Sequence, residues 1–186
     1  MELRNSVILS AAFLAVFYIG GINKASAADN SFAVFNGATG KCIDVIGYST
    51  VPGTALQQWT CSDTTNQLWT IEVFGYTNVG GEIFKLINVG SGLCLDLAQQ
   101  SNTNGIRVVQ NTCSGSTTQQ WQLDPPTQSL LAGGTIVGSA NAYRAIRNRY
   151  SGLCLDAAAS GANGDTVQQW SCGNNANNQA WRLPIF

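Results

Sequence analysis

The sequence predicts an all-β domain in which three copies of one unit share a single core, a three-fold barrel capped by hairpins. Three observations carry this. Asp44, Asp96 and Asp156 are each followed 25 residues later by a tryptophan, Trp69, Trp121 and Trp181, and each tryptophan closes a Gln-x-Trp. Each Asp ends a Gly-x-Cys-hydrophobe-Asp stretch, and Ser91 to Asp96 and Ser151 to Asp156 read identically, SGLCLD. Beyond the N-terminal segment no stretch keeps a 3.6-residue apolar period, while Gly and Asn-Gly turn signals recur between short apolar runs.

At the N-terminus, Val7 to Ile19 is a nearly unbroken apolar run of 13 residues, and Ala25-Ser26-Ala27 fits an A-x-A cleavage pattern. Residues 1–27 are therefore expected to be a secretory signal peptide. The run is too short to span a bilayer comfortably. An N-terminal anchor is the alternative, and no membrane span is expected in the mature chain. Residues 28–186 form the expected domain, with repeats over 32–82, 83–134 and 140–186. Successive copies are offset by 52 and 60 residues, the extra eight falling between Asp124 and Asn148. Units of this size cannot each bury a core alone, so they share one, and the three Gln-x-Trp tryptophans are its expected centre.

The full sequence has 9 basic and 10 acidic residues; removing Arg4, Lys24 and Glu2 leaves 7 and 9, a net charge of −2. Nucleic acid is not an expected partner, because phosphate binding needs clustered Lys and Arg. Arg144, Arg147 and Arg149 are the local basic cluster and read as a solvated strand or loop. Polarity comes instead from Asn, Gln, Ser and Thr, which suits a neutral polar ligand. The chain has 0 His, which removes the commonest general base and zinc ligand. No cofactor or metal site is expected.

Six cysteines allow 15 pairings. Equivalence of the repeats selects internal ones: Cys42–Cys61, Cys94–Cys113 and Cys154–Cys172, at separations of 19, 19 and 18. Such disulfides suit a secreted chain, and each contributes about 3 kcal/mol in the chain-entropy model.

Strand alternation places Ile43 and Val45 on one face and Cys42 and Asp44 on the other. The aliphatic face goes to the core, so Asp44 is expected to face outward. Gln57, Trp59 and Cys61 likewise share a face. With Cys61 bonded to Cys42, Trp59 and Asp44 emerge together, with Asn66 nearby and Gln67 holding Asp44. Asp, Trp, Asn and Gln around a shallow hollow suit a sugar ring. The indole stacks on the C–H face, the carboxylate accepts from hydroxyls, and the amide donates and accepts. The alternative, a turn-capping Asp44 with a core Trp59, does not account for the second copy: Asp156, Gln168, Trp170, Asn178 and Gln179. The middle copy keeps Asp96 and Gln119 but has Val109, Asn111 and Thr118 where the first has Gln57, Trp59 and Asn66. Two working sites and one degenerate site are expected.

These repeats resemble the ricin-type β-trefoil lectins, a family that includes sugar-binding modules of secreted glycosidases. The likeness rests on three Gln-x-Trp repeats in register with three Cys-hydrophobe-Asp strands and internal Cys pairs, over residues 32–186. It implies a β-trefoil with galactose-like sugars or xylan as ligands. Asp44, Trp59 and Asn66, with Asp156, Trp170 and Asn178, match the family's sugar-contacting positions; Gln57 and Gln168 match further ones. The expected function is a secreted, non-enzymatic lectin. The alternatives are a protein-binding trefoil, either a protease inhibitor using the Pro125–Ala142 segment or a toxin-delivery subunit, and a glycoside hydrolase.

Overall fold

The computed structural model describes residues 30–77, 82–124, 143–158, 160–173 and 176–183. The expected signal peptide and the Pro125–Ala142 segment lie outside these residues. Thirteen strands are present among them. The first lobe has β1 (Phe32–Ala33), β2 (Phe35–Asn36), β3 (Cys42–Val45), β4 (Leu56–Trp59) and β5 (Leu68–Tyr76). The second has β6 (Glu82–Asn88), β7 (Cys94–Leu97), β8 (Val108–Asn111) and β9 (Trp121–Leu123). The third has β10 (Arg144–Asn148), β11 (Cys154–Ala157), β12 (Asp165–Trp170) and β13 (Ala180–Arg182).

The pairing closes a ring. β1 pairs with β5, β5 with β6, β6 with β9, β9 with β10, β10 with β13, and β13 with β2, which continues β1 past Val34. All these pairs are antiparallel, and the closed circuit leaves no barrel edge to aggregate. The remaining strands form three hairpins, β3–β4, β7–β8 and β11–β12. This is the β-trefoil that the repeats predict.

Trp69, Trp121 and Trp181 are fully buried in the shared core with Ile43, Leu95 and Leu155. Each indole N–H donates to the backbone carbonyl one residue before the repeat's Asp: Ile43, Leu95 and Leu155, at 3.4, 3.1 and 2.8 Å. A buried Trp needs such an acceptor. The same bond fixes the strand that carries the Asp. The three disulfides join Cys42 to Cys61, Cys94 to Cys113 and Cys154 to Cys172.

The turn that enters each hairpin is built by a buried asparagine. Asn88 Oδ1 accepts from the N–H groups of Gly90 and Ser91, and Asn36 and Asn148 repeat the arrangement. Four residues on, Gly40, Gly92 and Gly152 close the turn at φ 66, 70 and 71, a conformation costly for any residue with a Cβ. Arg144 and Arg147 depart from the expected solvated segment, whereas Arg149 is exposed as expected. Arg147 donates to both carboxylate oxygens of Asp124, at 3.1 and 2.6 Å, and Arg144 lies 3.8 Å from Glu82. The hydrogen bond to Asp124 holds the Arg147 guanidinium above its ordinary pKa, against the opposing effect of partial burial. Both arginines lie on β10, a barrel strand, and so reach across to Glu82 of β6 and to Asp124 just after β9.

Candidate functional site

In the first lobe β3 and β4 pair with Asp44 opposite Gln57 and Cys42 opposite Trp59. Period-two alternation then places Asp44, Gln57 and Trp59 on one face, away from the core. Asp44 does not stand open on that face, as simple alternation suggests; it is only 4% exposed. Three side-chain amides cover it. Gln57 donates to Oδ1 at 2.8 Å, and Asn66 and Gln67 donate to Oδ2 at 2.8 and 2.9 Å. Asn66 also donates to the Val45 carbonyl, and Gln67 to that of Thr60. A buried carboxylate needs such donors, and alternation gives the face without its cover. Of about four acceptor positions on a carboxylate, three are filled, leaving one on Oδ1. Trp59 lies at the end of β4, 41% exposed.

The third lobe repeats this. Asp156 faces Gln168 and Cys154 faces Trp170 across β11–β12. Gln168 donates to Asp156 Oδ1 at 3.1 Å; Asn178 and Gln179 donate to Oδ2 at 2.8 and 2.9 Å. Trp170 is 43% exposed. The two large exposed indoles of the described residues thus stand beside the two carboxylates held by three amides. Each pair sets a flat apolar ring and a fixed, charged acceptor on the same face of one hairpin, and the two can grip a polar ring by stacking and hydrogen bonding together.

The middle lobe keeps the carboxylate without its surroundings. Asp96 faces Val109, and Cys94 faces Asn111. Gln119 still donates to Asp96 Oδ2 at 3.0 Å, and Asn111 adds a longer bond at 3.3 Å. Thr118, in place of Asn66, shares its hydroxyl with Ser116 instead. With Val109 in place of a glutamine, Asp96 Oδ1 is buried with no hydrogen-bond partner among the described residues.

Two sets of residues that join the lobes beside these hairpins were not singled out from sequence. Gln58, Gln110 and Gln169 are fully buried and donate across lobe boundaries, to the carbonyls of Ala158, Ser49 and Ser101. Asn36, Asn88 and Asn148 donate to the carbonyls of Asn178, Asn66 and Thr118 in the preceding lobe. Both types recur in every copy, one before the Trp59 position and one four residues before the repeat glycine. That recurrence was the signal.

Residues 16–79, 73–170 and 134–185 match the family model described as ricin-type beta-trefoil lectin domain-like. No curated protein sequence matches the chain. Among solved structures, the designed three-fold symmetric protein ThreeFoil is 28% identical, with a TM-score of 0.68 over 83% of this chain and 97% of its own. The exo-beta-1,3-galactanase 1,3Gal43A from Clostridium thermocellum is also 28% identical at TM-score 0.68, over 84% of this chain but only 30% of the enzyme. The Macrolepiota procera ricin B-like lectin, solved in complex with lactose, shares the fold at 17% identity and TM-score 0.61, over 82% of this chain and 92% of the lectin. Three tandem matches that together span the barrel and its hairpins place the chain in the ricin-type β-trefoil lectin domain-like family.

Proposed function

We propose that the protein is a secreted lectin that binds sugar without cleaving it, in two hollows formed by Asp44, Gln57, Trp59, Asn66 and Gln67 and by Asp156, Gln168, Trp170, Asn178 and Gln179. On this reading residues 1–27 are a signal peptide and 28–186 the lectin domain. One observation supports it above the others: an exposed indole and an amide-held carboxylate share one face of one hairpin in the first and third lobes, while the middle lobe has lost the indole but kept the scaffold. A role in packing alone leaves that difference unexplained.

Galactose-type glycans or xylan are the proposed ligands. The solved relatives include a lactose complex and a galactanase. Binding rather than hydrolysis is favoured by the placement of the acids. A glycosidase needs two carboxylates about 5–10 Å apart around one bond. Here Asp44, Asp96 and Asp156 belong to three different hairpins, and each is tied to amide donors of its own lobe.

A glycan array on the oxidised protein tests the reading and identifies the sugar. Trp59→Ala and Trp170→Ala should each weaken retention on the polymeric glycan so identified, and the double variant should abolish it with the fold intact. Full retention by a folded double variant overturns the assignment of these hollows.

A further inference from the structure

Building on the sugar reading of the two hollows, we propose that each is a two-lobe site whose tryptophan is clamped by an asparagine of another lobe: Asn163 of the third lobe for Trp59, and Asn104 of the middle lobe for Trp170. Trp59 is followed by Thr60, whose backbone N–H and hydroxyl both donate to Asn163 Oδ1, at 3.0 and 3.1 Å. Lys41 adds a third donor to the same oxygen at 2.7 Å. Trp170 is followed by Ser171, whose N–H and hydroxyl both donate to Asn104 Oδ1, at 2.8 and 3.0 Å. On the other side of each tryptophan, the Gln58 carbonyl accepts from Gly164 N–H at 3.0 Å, and the Gln169 carbonyl from Gly105 N–H at 2.9 Å. One Asn-Gly turn therefore grips the chain on both sides of each indole.

The turn also borders the ring. A Cβ added at Gly105 would stand 3.7 Å from Trp170 Cζ3, and one at Gly164 3.9 Å from Trp59 Cζ3. Both glycines have positive φ, 84 and 92.

The middle lobe acts as an internal control. Gly53 occupies the same place, at φ 84, and donates to the Gln110 carbonyl at 2.8 Å. The residue before it is Pro52, not asparagine, and it offers Thr112 no side-chain oxygen. The residue before Thr112 is Asn111, not tryptophan. The glycine bond is thus common to all three lobes, whereas the asparagine clamp occurs at the two lobes that carry an exposed indole. A device needed only for folding would recur in all three, as the buried asparagines at 36, 88 and 148 do.

The physical advantage lies in preorganisation. A half-exposed tryptophan at a strand end has two side-chain torsions to fix. A stacking platform gains affinity when its ring plane is fixed before the ligand arrives. The middle lobe, with no platform of its own, supplies Asn104 to the third hollow. Asn104 and Asn163 are positioning residues acting through Ser171 and Thr60.

The test uses the oxidised protein with 15N-labelled tryptophan. Relaxation order parameters of the Trp59 and Trp170 indole N–H groups are measured without sugar, and the same signals are then followed in titrations with lactose and xylohexaose. For Asn104→Ala, the Trp170 order parameter should fall and the dissociation constant read at Trp170 should rise about five- to tenfold. Trp59 should be unchanged in both readouts. Asn163→Ala should give the mirror image. Asn104→Asp, which keeps an acceptor oxygen, should restore Trp170. A Trp170 as rigid in Asn104→Ala as in wild type overturns the clamp. If neither sugar moves either signal in the wild-type protein, the sugar reading fails on its own, and the relaxation comparison still decides the clamp.

Discussion

Asp44 and Asp96 occupy equivalent positions in equivalent strands, yet one oxygen differs. Asp44 Oδ1 accepts from Gln57, whereas Asp96 stands opposite Val109 and its Oδ1 has no hydrogen-bond partner among the described residues. A buried acceptor left unpaired costs about 1–3 kcal/mol. Val109→Gln should therefore stabilise the protein by about 1 kcal/mol, a rise of roughly 2–4 °C in melting temperature for a domain of this size. A melt that is unchanged or lower contradicts the proposed donor. The reverse change is expected at Asp44. In Asp44→Asn one acceptor oxygen becomes a donor, facing either Gln57 or the Asn66 and Gln67 pair, and the charge is lost, so binding at the first hollow should fall by about tenfold or more while the third is unaffected. Equal affinity at both hollows in that variant, by titration, counts against a role for the carboxylate. The residue types of both hollows were legible in the sequence. The burial of the aspartates was not, because alternation along β3 and β11 assigns a face but cannot show that Asn66, Gln67, Asn178 and Gln179 return from beyond the hairpin to cover it.

At the scale of the element, the hairpins and the barrel strands divide two kinds of tryptophan. Trp121 starts β9 and is fully buried; Trp59 ends β4 and is 41% exposed. Trp121→Ala should destabilise by about 3–5 kcal/mol through cavity formation. Trp59→Ala should cost less than about 1 kcal/mol, as exposed substitutions do. Chemical denaturation of the two variants measures the difference; equal losses would contradict the division. The constant 25-residue spacing separated these classes in the sequence because each core indole must reach the carbonyl of the residue preceding the repeat Asp. The hairpin turns were less legible. Asn104-Gly105 and Asn163-Gly164 read plainly as turns, but which neighbouring strand each turn touches is a tertiary fact that local sequence does not carry.

At the scale of the whole molecule, the closed circuit of barrel strands holds the first and third hairpins on one rigid frame. A shallow hollow of this kind reaches a dissociation constant of about 1 mM, or −4 kcal/mol. Two on one frame raise affinity for a repeating glycan by about 10²–10⁴ through effective concentration. Binding to a polymer should therefore collapse toward the single-site value in either Trp59→Ala or Trp170→Ala, while binding of the free sugar loses only half its sites. Calorimetry with both ligands distinguishes this from independent hollows, which would lose half of each signal. The three-fold plan was legible because the repeat spacing, the cysteines and the core tryptophans all keep one register. The cross-lobe bonds of Gln58, Gln110 and Gln169 were not, since a glutamine beside an exposed tryptophan, or beside Asn111 in the middle copy, reads as surface until the neighbouring lobe is in place. On the proposed function two indoles meet sugar and three never do. Recording the five tryptophan indole N–H signals during a titration with the glycan selected by the array tests that directly. Trp59 and Trp170 should shift with saturation while Trp69, Trp121 and Trp181 stay in place; saturable binding that leaves Trp59 and Trp170 unmoved would contradict it.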